Sequence, residues 1–165
     1  MFNFADSVTA SLGDLLTRHH LVIAKVSDDE ILLVGNGYAL SLRADRDYAT
    51  LGLVDWSEKK KCYMWHSANQ LLAERSATYR KKNVNLVGLE EHINASIKAI
   101  AEALRDRCQE ILEGDFSWLH AKMKKDPSGW VGTALPPAAQ ALLTARRVAG
   151  SAYDSLGSPW SPDCG

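Results

Sequence analysis

A chain of 165 residues has the length of one domain, and at that size it can bury roughly 68–70% of its unfolded surface without a metal or disulfide staple. Hydrophobic residues at 46% and charged residues at 24% fall in the globular range, which excludes a fibrous or disordered chain. Nineteen Lys and Arg against twenty Asp and Glu leave a net charge of −1, without the basic excess of a dedicated nucleic-acid binder.

Phe4, Val8, Leu12, Leu15 and Leu16 recur at helical spacing and predict a helix over residues 4–19. Arg18, His19 and His20 close it, with basic character suited to the negative end of the helix dipole. Residues 21–56 then change period. The runs 21–26, 31–34, 38–43 and 48–56 are rich in Val, Ile, Leu and Tyr, and are separated by turn compositions at 27–29, 35–37 and 44–47. Connections this short cannot return a parallel strand, so four antiparallel strands in a meander are expected. Beyond the polar loop 57–61, Ser67 and Gln70 have capping-box spacing ahead of Leu71 and Leu72.

Leu89, Ile93, Ile97, Ile100, Leu104, Cys108 and Ile111 predict one long helix over 89–113, stopped by Gly114. Asp115 opens a further short helix that ends before Pro127. Pro127, Gly129, Gly132, Pro136 and Pro137 mark a linker, with a last helix over Ala138–Val148. The expected architecture is therefore α+β: an N-terminal helix, a four-stranded meander, and C-terminal helices packed on one face of the sheet. One domain spans 1–125, a linker and short helix 126–149, and a tail poor in core-forming residues 150–165, expected to be disordered.

Motifs for chemistry are sparse. The chain contains no G-x-S-x-G, no H-E-x-x-H and no P-loop sequence. Gly35-Asn36-Gly37 fits a hairpin turn better than a dinucleotide loop, since Leu40 stands where a third glycine belongs. Cys62 and His66 lie four apart but complete no recognised zinc spacing. The reading is of a protein without enzymatic activity, cofactor or metal. Cys62, Cys108 and Cys164 are odd in number and far apart, which reads as free thiols in a reducing compartment. The opening residues lack a secretory signal and no stretch could span a membrane, so a cytoplasmic location is expected.

Charge alternates along the chain. Residues 1–54 carry four basic and seven acidic side chains, 55–82 seven and three, 83–121 three and seven, and 122–165 five and three. Such blocks suit electrostatic steering of a protein partner. Trp56, Tyr63, Met64 and Trp65 bracket the lysine run 59–61, a cluster of residue types common in interface hot spots.

The order helix, four-strand meander, short helix, long helix is similar to small bacterial immunity proteins of contact-dependent inhibition and other polymorphic toxin systems. The residues that carry this are 28–33, the run Tyr38 to Tyr48 with its Asp45-Arg46-Asp47 turn, 49–56, and the Leu71-Leu72 pair. The resemblance implies a non-enzymatic inhibitor that binds a cognate protein toxin and occludes its active site. A toxin acting on nucleic acid, such as a nuclease domain, would present a basic cleft. Glu102, Asp106, Glu110 and Glu113, spaced as a helical stripe, are then the first candidate contacts, with Asp45 and Asp47 second. Trp56, Tyr63 and Trp65 are the candidate aromatic anchors. The alternative is a nucleic-acid-associated regulator using the basic loops 59–61 and 80–82 against phosphates.

Overall fold

A computed structural model describes residues 2–80 and 88–154. The chain folds as α+β. Helix α1 (Phe4–Arg18) starts at Asn3, whose side chain accepts from the Asp6 amide at 3.2 Å. It buries the five apolar residues of its stripe, each contributing about 1.5–3 kcal/mol by removal from water. Six strands follow as one antiparallel sheet in sequence order: β1 (Val22–Lys25), β2 (Glu30–Val34), β3 (Ala39–Asp45), β4 (Tyr48–Ser57), β5 (Cys62–Ser67) and β6 (Thr133–Ala134).

The sheet thus has two strands more than the four expected. The run 62–67 pairs with the second half of β4, Trp56 opposite Tyr63 and Val54 opposite Trp65, after a turn in which Lys61 takes a left-handed φ of 55°. The segment expected as a linker contributes β6, which adds Thr133 opposite Trp65 on the outer edge of β5. Ser67 is consequently the last residue of β5, and although its hydroxyl accepts from the Asn69 amide at 3.2 Å, the N-cap position falls to Ala68. Helix α2 (Asn69–Arg75) begins after Ala68, and the Gln70 side chain donates to Glu74 at 2.9 Å instead of reaching back.

Helices α3 (Ala77–Arg80), α4 (Leu89–Asp106), α5 (Gln109–Leu112) and α6 (Ser117–Lys125) follow. The long helix expected over 89–113 is broken. Arg107 and Cys108 leave helical geometry at φ −132° and −135°, and the Gln109 side chain donates to the Arg105 carbonyl at 2.6 Å, satisfying a helix-end acceptor. From α2, Arg75 clamps the break: it donates to the Arg107 carbonyl at 3.4 Å and ion-pairs with Glu110. Cys108 in the corner and Ile111 just past it stay fully buried.

Alternation along the strands divides the core in two. Ile31, Leu33, Leu40, Leu42, Leu51 and Leu53 face α1 and α4, where Leu12, Ile97, Ile100 and Leu104 meet them. Leu32, Val34, Ala39, Val54 and Tyr63 face the other way, against Leu135, Ala139 and Leu143. The last two belong to helix α7 (Pro137–Asp154), so the helices do not share one face as expected. The sheet is covered on both sides. Helix α7 also runs past Val148 to Asp154, and the remainder of the expected tail, 155–165, lies outside the described residues.

Gln140 fixes how α7 sits. Its side-chain amide is buried, accepts from the Tyr63 amide at 2.9 Å and donates to the Tyr63 carbonyl at 2.8 Å. It acts as one more rung of the ladder at the edge of β5, beside the short β6.

Candidate partner-binding surface

The corner between α4 and α5 decides the fate of the acidic stripe. Glu102 and Asp106 are exposed on the last turns of α4 and line an open groove of about 570 Å3 against the start of α3. Ser76, Ala77, Thr78, Arg105 and Arg107 form the rest of its wall. Arg105 is turned away to Asp14 on α1, whose two carboxylate oxygens it reaches at 3.2 and 3.3 Å. That hydrogen bond holds the Asp14 carboxyl below its ordinary range. Glu102 and Asp106 have no ion-pair partner among the described residues.

Glu110 and Glu113, past the corner, do not join them. Glu110 is committed to Arg75, and Glu113 lies beside His19 Nδ1 at 3.6 Å, on a different cleft. The single stripe of four acids is therefore two pairs with different surroundings. Asp45 and Asp47 are exposed in the β3–β4 turn around Arg46, at a left-handed φ of 53°, and line neither groove nor cleft.

The aromatic group belongs to the second core. Tyr63 is fully buried and meets Trp56 edge-on at 5.4 Å, and Trp56 and Trp65 are half-buried against that core. Trp65 lies across Gly52, where a Cβ would sit 1.7 Å from the indole nitrogen. Tyr63 is thus a packing residue, not an accessible anchor. Of the basic loops, Lys59–Lys61 form the β4–β5 turn, with Lys61 held by Glu58 at 2.7 Å. Arg80 ends α3, while Lys81 and Lys82 lie outside the described residues.

Two polar clusters escaped the sequence reading because their members are far apart in the chain. Asp55 of β4 meets His120 of α6 at 2.6 Å, beside buried His66 of β5. Burial keeps the His66 imidazole below its ordinary pKa, with Asp55 opposing and His120 adding to that effect. Glu74 collects Gln70, the Trp118 indole and Lys122, and the Gln70 bond leads in lowering its carboxyl pKa. Both clusters fasten α6 to the body of the fold. Among the described residues no group of three or more His, Cys, Asp or Glu is arranged to hold a metal ion, and no helix is long and apolar enough to cross a membrane.

The free-thiol reading holds for Cys108, whose thiol is buried and shifted up by that burial. It is corrected at Cys62, which is disulfide-bonded. Compared with known proteins, the chain matches no family model, no curated protein and no solved structure.

Proposed function

We propose that this chain is a non-enzymatic inhibitor of the immunity type, which binds a cognate protein toxin and blocks its active site through the α3–α4 groove. One observation carries the reading. Neighbouring acids are neutralised within the fold, Asp14 by Arg105 and Glu110 by Arg75, whereas Glu102 and Asp106 stand exposed in a groove they share with Arg105 and Arg107, without an ion-pair partner among the described residues. Exposed carboxylates with no ion-pair contact, on a rigid helix, favour a partner that presents basic side chains, because complementary potentials accelerate encounter and penalise wrong partners. A toxin domain with a basic cleft for nucleic acid has that chemistry. The groove is built on α4, which packs directly on the sheet, so the charges are presented on a preorganised surface and little ordering entropy is lost on binding.

Inhibition by occlusion is stoichiometric. Neutralisation of a cognate toxin should saturate at one inhibitor per toxin, and the two should co-purify after co-expression. Reversal of both charges, Glu102→Lys with Asp106→Lys, should weaken the complex at least tenfold at low salt, chiefly through slower association, and leave the melting temperature near that of the parent. An unchanged affinity in that variant would remove the groove from the interface.

A further inference from the structure

A second cleft forms where residues from four segments distant in the chain converge. The end of α1 supplies Arg18 and His20, the β2–β3 turn supplies Asn36, the chain after α5 supplies Glu113, and α7 supplies Arg146. Its volume is about 480 Å3, within the range of small-molecule sites. Tyr38 forms a fixed part of its lining. The ring is wedged between Gly35 and Gly114, where added Cβ atoms would lie 2.3 and 2.5 Å from it, and Gly114 adopts φ +82°. The Tyr38 hydroxyl donates to the Leu112 carbonyl at 2.6 Å, and its ring meets Phe116 edge-on at 5.7 Å. These contacts settle the lining before any ligand arrives.

Charge in this cleft runs against the rest of the protein. The chain carries −1 overall, yet Arg18 and Arg146 are both exposed here and have no ion-pair partner among the described residues. Among the described residues Glu113 is the one acid in the lining, and it is directed to His19 at 3.6 Å. The end of α1 does not consume the arginine, because backbone amides already serve its last carbonyls: His19 to Leu15 at 3.0 Å and Leu21 to Leu16 at 2.9 Å. Guanidinium groups present paired N–H donors in a plane, the geometry that matches phosphoryl oxygens. The Asn36 side chain adds a neutral donor at the turn.

We infer that this cleft binds a small phosphate-bearing molecule, with Arg18 and Arg146 as the charged contacts and the Tyr38 wall as the fixed boundary. The site is separate from the α3–α4 groove and does not depend on its role.

The test is a titration of the full chain at low ionic strength with inorganic phosphate and, separately, with adenosine 5′-monophosphate, followed by amide NMR shifts. Saturable one-site shifts confined to residues 18–20, 35–38 and 112–114 are expected. Arg18→Gln and Arg146→Gln should each weaken binding about tenfold, the loss of one charge-assisted contact. Glu113→Gln should tighten it, a direction that a damaged fold would not produce. Tighter binding of the nucleotide than of phosphate identifies a nucleotide-like ligand, and equal binding identifies the phosphoryl group alone; either supports the site. Absence of saturation, shifts scattered over all the lysines, or both arginine variants binding like the parent would overturn it.

Discussion

Replacing Gln140 by Ala isolates the device that docks α7 on the second face of the sheet. The wild-type amide makes three hydrogen bonds, to the Tyr63 amide at 2.9 Å, the Tyr63 carbonyl at 2.8 Å and the Leu135 carbonyl at 3.3 Å. In the variant the Tyr63 carbonyl keeps the Leu135 amide at 3.3 Å. The Tyr63 amide and the Leu135 carbonyl lose these partners next to a core in which Tyr63, Leu135 and Ala139 are buried. Each orphaned buried group costs about 1–3 kcal/mol, so a loss of about 2–4 kcal/mol is expected, allowing for partial relaxation. For a domain of this size that lowers the melting temperature by about 4–16 °C. Urea unfolding followed by tryptophan fluorescence reads it directly, since Trp56 and Trp65 border this core. Gln140→Glu should be worse than Ala, because a carboxylate there would face two carbonyl oxygens. A loss below about 0.5 kcal/mol for Gln140→Ala, within the range of an ordinary surface change, would refute the docking of α7 through this amide.

Ile100 is fully buried between α4 and the sheet, so Ile100→Asp should abolish the cooperative transition; a melting curve within a few degrees of the parent would show the stripe to be exposed. Arg43→Ala leaves the buried Glu30 carboxylate, bonded to Arg43 at 3.0 Å and Ser41 at 2.9 Å, with Ser41 alone, and should cost about 1–3 kcal/mol in chemical denaturation. His66 has a folded-state pKa below its ordinary value because of burial. Below the unfolded pKa, near 6.5, the unfolded chain takes up this proton more readily than the folded one, so stability falls as pH drops from about 7 toward the folded pKa. His66→Gln should flatten the stability–pH curve in that window; an equal slope in the variant would assign the loss to other groups. The lowered carboxyls of Asp14, Glu74 and Asp115 act in a separate window, because stability they supply is lost only as pH falls below about 4.5.

What could be read from the chain was what depends on near neighbours. The stripe Phe4–Val8–Leu12–Leu15 and the alternation through Leu40, Leu42, Leu51 and Leu53 report one buried face each, and both sit where that pattern requires. The second face was written in the sequence too, as the unbroken run Ile31-Leu32-Leu33-Val34, since a strand with no polar position has no solvent side. The corner at Arg107–Cys108 left no such mark. Cys108 and Ile111 keep the helical spacing of buried residues through the break, and the side chain that holds the bent segment, Arg75, comes from α2, more than thirty residues earlier in the chain. Hydrophobic period reports which side is buried, and it is silent on whether the backbone stays continuous. The same limit hid Asp55 with His120, which meet only because α6 folds back onto β4, and Arg18 with Arg146, which line one cleft only because α7 returns to the end of α1.

Helix α7 connects these observations, because its dry side and its wet side have different duties. Ala139, Gln140 and Leu143 hold it to β2, β3 and β5 through the second core. Three residues beyond Leu143, Arg146 reaches the cleft on the end of α1. The position of that guanidinium is therefore set by the register of α7, which Gln140 fixes at Tyr63. If the cleft binds phosphate as inferred, Gln140→Ala should weaken phosphate binding although Gln140 touches no ligand, whereas the α3–α4 groove, built on the opposite face, should keep its affinity for a basic partner. Phosphate present during unfolding should also stabilise the parent by mass action and protect the variant less. Equal protection of both proteins by phosphate would show that Arg146 finds its place without the Gln140 bond, and would separate the cleft from the docking of α7.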